Sequence, residues 1–127
     1  MTDNNPIILC IAAEQLSLAV RGLVLQSEGY RVVWASNFED AMRFGALNHP
    51  DLIICEQPLG KESGLALAEA LKQVLPGTPI LLITGVMEPV PQTLSVDAMM
   101  TKIDGPEAFL RNVAALLNAS PAGDRAA

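Results

Sequence analysis

The chain has 127 residues, half of them hydrophobic and 4% aromatic, with 8 Lys and Arg against 14 Asp and Glu for a net charge of −6. That length predicts one domain with an aliphatic core held without disulfide or metal, and the acidic balance excludes non-specific binding to a polyphosphate backbone, so no direct nucleic-acid partner is expected. No apolar run approaches the ~18 to 20 residues of a membrane span, and Met1 to Asn5 offer neither a basic region nor an apolar signal core, so the expectation is a cytoplasmic protein with no membrane partner.

Ile7 to Ile11 is a short continuous apolar run, as for a strand covered on both faces. Glu14 to Glu28 has helical spacing through Leu16, Val20, Leu23, Val24 and Ser27, and Gly29 supplies the stop. Arg31 to Ala35 is the second strand. Ser36-Asn37-Phe38-Glu39 has the form of a capping box and opens a helix to about Asn48, with Ala41, Phe44 and Gly45 on its buried side. Leu52 to Cys55 is a third strand. Ser63 caps a helix to about Leu75 with Leu67, Leu71 and Val74 as its stripe, Pro76-Gly77 ends it, and Pro79 to Thr84 is a fourth strand.

Strands and helices alternate with short connections, so the sheet is expected to be parallel with helices on both faces. The regularity fails after Thr84. Pro89 and Pro91 fall where a fourth helix belongs, and proline inside a helix costs about 3 kcal/mol, so that helix is confined to about Gln92 to Ser95 or replaced by a loop. Val96 to Thr101 is a fifth strand, and Asp104-Gly105-Pro106-Glu107 starts a last helix with Leu110, Val113 and Leu117 inward. The domain is placed at residues 1–118, with a small, polar and flexible tail over 119–127.

The chemistry is expected at Glu56. It follows a buried strand and precedes a turn through Pro58 and Gly60, and in an open parallel sheet the crevice beyond the strand ends is where ligands sit. Pro50-Asp51-Leu52-Ile53-Ile54-Cys55-Glu56, with Ser63-Gly64-Leu65 at matching distance, resembles the third strand and phosphorylation loop of the receiver domain of two-component response regulators. Ile7 to Ile11, Glu28 to Val33, Thr78 to Thr84 and Thr101-Lys102 extend the likeness over about residues 6–118. It implies a flavodoxin-like doubly wound fold with five parallel strands in the order 2-1-3-4-5.

The resemblance places Glu56 where the family carries its phosphorylated Asp. It places Ala12 and Ala13 where the family has the acidic pair that helps to hold Mg²⁺, a hard ion that wants oxygen ligands. Two methyl groups take most of that cage away, so neither a metal nor another cofactor is expected. Glu14 is next in line and supplies either one oxygen or a first-turn acid favoured by the helix dipole. Thr84 matches the hydroxyl that bonds the phosphoryl group and Lys102 the ammonium that pairs with it, so a metal-free Glu56-Lys102 ion pair with Thr84 nearby is expected. Met99 replaces an aromatic residue that changes rotamer in the family, and has no ring to swing. Ile103 replaces a proline whose preceding bond is typically cis, so a trans bond after Lys102 is expected.

Other residues carry plainer expectations. Cys10 and Cys55 are read as buried small hydrophobes, with a redox pair between neighbouring strands as the alternative, and His49 as a solvated turn residue. Trp34 covers the sheet or meets a partner, and Met87, Met99 and Met100 fill the core or form an adaptable surface. The leading functional reading is a degenerate, phosphorylation-independent receiver, not an enzyme, that binds a signalling protein: a histidine kinase, an output domain or another regulator. Its expected docking face surrounds Pro89, Pro91, Met99 and the last helix, where the family also makes dimer contacts, so a homodimer is a further form of partnership. Two alternatives stand beside it: a receiver still phosphorylated at Glu56, and a flavodoxin-like small-ligand binder, against which Ala12-Ala13-Glu14-Gln15 lacks a phosphate cradle.

Overall fold

A computed structural model describes residues 5–85 and 95–119. Five strands, β1 (Ile7–Ile11), β2 (Arg31–Ala35), β3 (Leu52–Gln57), β4 (Ile80–Thr84) and β5 (Ala98–Thr101), form one parallel sheet in the order β2-β1-β3-β4-β5. Among the described residues four α-helices accompany them: α1 (Gln15–Ser27), α2 (Phe38–Asn48), α3 (Gly64–Val74) and α4 (Gly105–Ala119). The order and the parallel pairing are those expected. The central strands are apolar throughout because both of their faces are covered.

Strand alternation divides the core into two layers. Leu9, Ile11, Ile53, Cys55, Ile80 and Leu82 turn to one side, where Ala41 of α2 and Leu67, Ala68 and Leu71 of α3 meet them. Ile8, Leu52, Ile54, Leu81, Ile83 and Met100 turn to the other, against Leu25 of α1 and Phe109 and Val113 of α4. Gly45 lets α2 approach α3, since a Cβ there would sit 3.3 Å from Leu71.

Several local expectations are corrected. Asn37, not Ser36, caps α2: its side chain accepts a hydrogen bond from the Asp40 amide at 2.8 Å. Val74 is exposed because α3 turns Gly64, Leu67, Ala68 and Leu71 inward, with Leu75 continuing that stripe onto the core and Val74 on its flank. The largest correction concerns α1. Its buried residues are Leu18, Gly22 and Leu25, whereas Leu16, Val20 and Leu23 are exposed. The helix is apolar on nearly every side, so periodicity offered two stripes, and the close fit of Gly22 under Trp34 selected the other one: a Cβ on Gly22 would lie 2.6 Å from the indole nitrogen. Trp34 therefore both covers α1 and remains partly exposed.

The fourth helix expected at Gln92 to Ser95 falls mainly on residues 86–94, as do Met87, Pro89 and Pro91, outside the described residues. Residues 120–127 lie outside them as well, and α4 runs one residue past the expected boundary at 118.

Candidate functional site at the carboxyl end of the sheet

Strand β3 continues two residues beyond its expected end. Glu56 is therefore still in the ladder, registered with Ile83, while Gln57 registers with Thr84. By alternation Glu56 shares the face of Leu52 and Ile54 and enters the layer under α1 and α4. It is 3% exposed. A buried carboxylate requires a partner, and two cations supply it. Arg21 of α1 brings Nη1 to 2.8 Å from Oε2 of Glu56, and Lys102 brings Nζ to 3.6 Å from the same oxygen. The Arg21 side chain is 14% exposed and that of Lys102 49%. The shorter, drier contact dominates, because Coulomb attraction grows as distance and local dielectric fall. The arginine N–H does not point along a hydrogen-bond direction, so the contact is a close ion pair.

The loop after Glu56 is fixed around it. Gln57 Oε1 accepts from the Leu65 amide at 2.9 Å, and Ser63 Oγ accepts from the Ala66 amide at 3.0 Å, capping α3 as expected. Gly64 touches the strand so closely that a Cβ there would run into the carbonyl oxygen of Glu56. Leu59 and Glu62 exchange backbone hydrogen bonds across the loop, and Glu62 Oε1 accepts from the Phe38 amide at the start of α2. On the opposite flank, β5 passes directly into a 3₁₀ turn, Lys102–Asp104, held by the Thr101 amide donating to Asp104 at 2.8 Å. Among the described residues the cis peptide is Gln57–Pro58, and the bond after Lys102 is trans.

The remaining expected site residues separate from this cluster. Thr84 is buried at the end of β4, but it registers with Gln57 and by alternation shares the face of Ile80 and Leu82, the other layer. Ala12 is buried and extends the sheet through its amide to Ala35, and Ala13 lies against the loop at Gly60. Glu14 precedes α1 as an exposed residue whose carboxylate accepts from Ser17 Oγ at 2.8 Å. Met99 registers with Leu82 and is exposed, whereas Met100 is buried in the α1 and α4 layer. Arg21 was missed by sequence reading. Its position two turns into α1 carried the only available signal: the one charged residue in an otherwise uncharged helix.

The two cysteines answer the redox alternative. Cys10 faces the α1 side and Cys55 the α3 side, so the sheet separates their sulfurs even though their strands are neighbours. Burial pushes both thiols up to about 12; for Cys10 the Arg21 charge opposes this and Glu56 adds to it, and for Cys55 Glu56 and then Cys10 add to it.

The model of the response regulator receiver domain family matches residues 8–101. The chain is a response regulator receiver domain. It is 30% identical over 120 residues to the alkaline phosphatase synthesis transcriptional regulatory protein PhoP of Bacillus subtilis, covering 91% of this chain and 50% of PhoP. It is 25% identical over 85 residues to the autoinducer 1 sensor kinase/phosphatase LuxN of Vibrio campbellii, covering 67% of this chain and 10% of LuxN. This receiver domain thus spans half the length of the first relative and a tenth of the second. A CheY-like receiver domain from Methanospirillum hungatei JF-1 superposes with a TM-score of 0.80 at 20% identity, over 91% of this chain and 95% of that one. The response regulator TrrA of Thermotoga maritima, solved in complex with Mg²⁺ and BeF, gives 0.80 at 23% identity, over 87% of this chain and 98% of that one.

The Mg²⁺ that the family implies does not fit the donor set of this receiver domain. The acidic-pair positions hold two alanines, the remaining carboxylate is engaged by a guanidinium, and no group of three metal-ligating side chains occurs among the described residues. No helix among the described residues is long and apolar enough to cross a membrane.

Proposed function

We propose that this receiver domain acts in two-component signalling without being phosphorylated, as a module that binds another signalling protein. The observation that carries the reading is the Arg21–Glu56 contact at 2.8 Å. Phosphoryl transfer is catalysed chiefly by positioning and by cations that neutralise the phosphoryl oxygens. Here the cation beside the acceptor position is part of the protein, and it neutralises the acceptor itself. Both oxygens of Glu56 lie in a buried site, one of them faced by Arg21 and Lys102, so the carboxylate is poorly placed for in-line attack on phosphorus. The cluster is a standing substitute for the charge pattern that phosphate and metal would otherwise create. Met99, exposed on β5, belongs to the docking face proposed for the partner, which is a kinase, an output domain or another regulator.

The test is incubation of the full chain with a small phosphodonor and Mg²⁺, followed by intact-mass measurement and a partner-binding assay. The expected result is an unchanged mass and unchanged partner affinity. A phosphate-sized increment that disappears in Glu56→Gln would overturn the reading in favour of a phosphorylated Glu56. Release of a bound chromophore or nucleotide on denaturation would favour the small-ligand binder instead.

A further inference from the structure

We infer that this receiver domain binds a small carboxylic acid with a compact apolar body in the cleft between α1 and α4, a site that goes beyond the partner-binding reading and does not depend on it. The cleft has a volume of about 290 Å³, at the small end of the range for small-molecule sites. Val24 of α1, Phe109 of α4 and Ile83 and Met100 of the sheet give it apolar walls, and Arg21 and Lys102 line it beside Glu56. An apolar chamber with a few converging charged groups suits a ligand with an apolar body and one charged head.

Charge sets the sign of that head. Two cations face one carboxylate, so the cluster keeps an excess of one positive charge within a chain of −6. Its hydrogen bonding is also incomplete. Arg21 Nη1 is buried 2.8 Å from Glu56 Oε2, yet neither atom has a hydrogen-bond partner among the described residues. Lys102 Nζ stands 3.6 Å from the same oxygen, beyond hydrogen-bond reach. A buried donor without an acceptor is rare in folded proteins, and an acceptor from outside the chain accounts for it. A ligand carboxylate that accepts from Arg21 and Lys102 supplies the acceptor and balances the charge, two cations against two carboxylates. The first turn of α4 borders the same cleft and adds the positive end of its helix dipole. Inorganic phosphate would meet the cations but leave the space between Val24 and Phe109 unfilled. Met99 registers with Leu82, on the opposite layer from Met100, so an acid in this cleft leaves the proposed docking face open.

A ¹H–¹⁵N NMR titration of the full chain with hexanoate, octanoate and phenylacetate tests the site. At least one probe is expected to bind saturably with a Kd of about 1 mM or tighter, with its largest shifts at the amides of Arg21, Val24, Met100 and Phe109. The matching alcohols lack the charge, and acetate and inorganic phosphate lack the apolar body, so each is expected to bind at least about tenfold more weakly. Lys102→Met is expected to weaken the acids about tenfold and to leave the alcohols unchanged. Val20→Glu, on the half-exposed rim of the cleft, puts a competing carboxylate near the two cations and is expected to weaken the acids by about tenfold or more. Leu47→Glu makes the same change in charge at an exposed position of α2, in the opposite layer, and is expected to leave the affinity unchanged. Circular dichroism checks that both glutamate variants are folded, and Lys102→Met decides alone if Val20→Glu is not. No saturable binding of any acid up to about 10 mM would overturn the inference, as would largest shifts outside the cleft. Alcohols, acetate or phosphate binding as tightly as the acids would overturn it too, and so would acid affinity that Lys102→Met leaves unchanged.

Discussion

The two helical layers of this receiver domain are built to different rules. Beneath α2 and α3 the sheet meets aliphatic and small side chains, and polar atoms there belong mainly to caps and loop ties such as Asn37, Ser63 and Gln57. Beneath α1 and α4 a buried carboxylate and a buried guanidinium sit at the edge of an equally apolar layer, while α1 leaves leucine and valine outside. A helix with few polar residues can still hold its place when its single charge is anchored inward. The difference shows that α1 is fixed as much by an ion pair and the Gly22–Trp34 fit as by its apolar stripe.

Removing the anchor should break the contrast most strongly. Arg21→Met leaves Glu56 buried with only the half-exposed Lys102 beside it, and a stranded buried charge costs about 3 to 5 kcal/mol, measurable by urea unfolding. The Arg21→Met/Glu56→Gln double variant should recover much of that loss, because it removes the stranded charge itself. Full additivity of the two single effects would contradict the pairing. On the other layer, Gly64→Ala should cost more than about 2 kcal/mol, since the new methyl must displace either α3 or the Glu56 carbonyl.

A pH titration compares the layers directly, because Cys10 lies in one and Cys55 in the other, both pushed up to about 12 by burial. Between pH 9 and 12 each thiol stays protonated in the folded chain and is ionised in the unfolded one. Stability present below pH 9 is therefore lost as pH rises, by about 1.4 kcal/mol per pH unit for each thiol. Cys10→Ala and Cys55→Ala should each flatten the alkaline slope by one thiol's share, and unequal flattening would show that one layer admits more water. The smallest effect is expected from Lys102→Met. With its side chain half in solvent, the loss should stay under about 1 kcal/mol, and high salt should shrink it further. A loss as large as that of Arg21→Met would reverse the ranking of the two cations.

Strand order, parallel pairing, the position of Glu56 and the cap at Ser63 were legible in the sequence. Continuous apolar runs, short connections and the turn after Cys55 admit few arrangements other than this sheet. Only the tertiary structure decided which side of α1 faces the sheet. In a helix apolar on nearly all sides, periodicity is degenerate, and the choice rests on a contact between Gly22 and Trp34, twelve positions apart in the chain. The same rotation determined the partners of Glu56: turning Leu18, Gly22 and Leu25 inward carries Arg21 to the carboxylate, while strand register sends Thr84 to the other face. Ion pairing depends on a few ångströms of three-dimensional approach, and a linear pattern of residue types does not contain that distance.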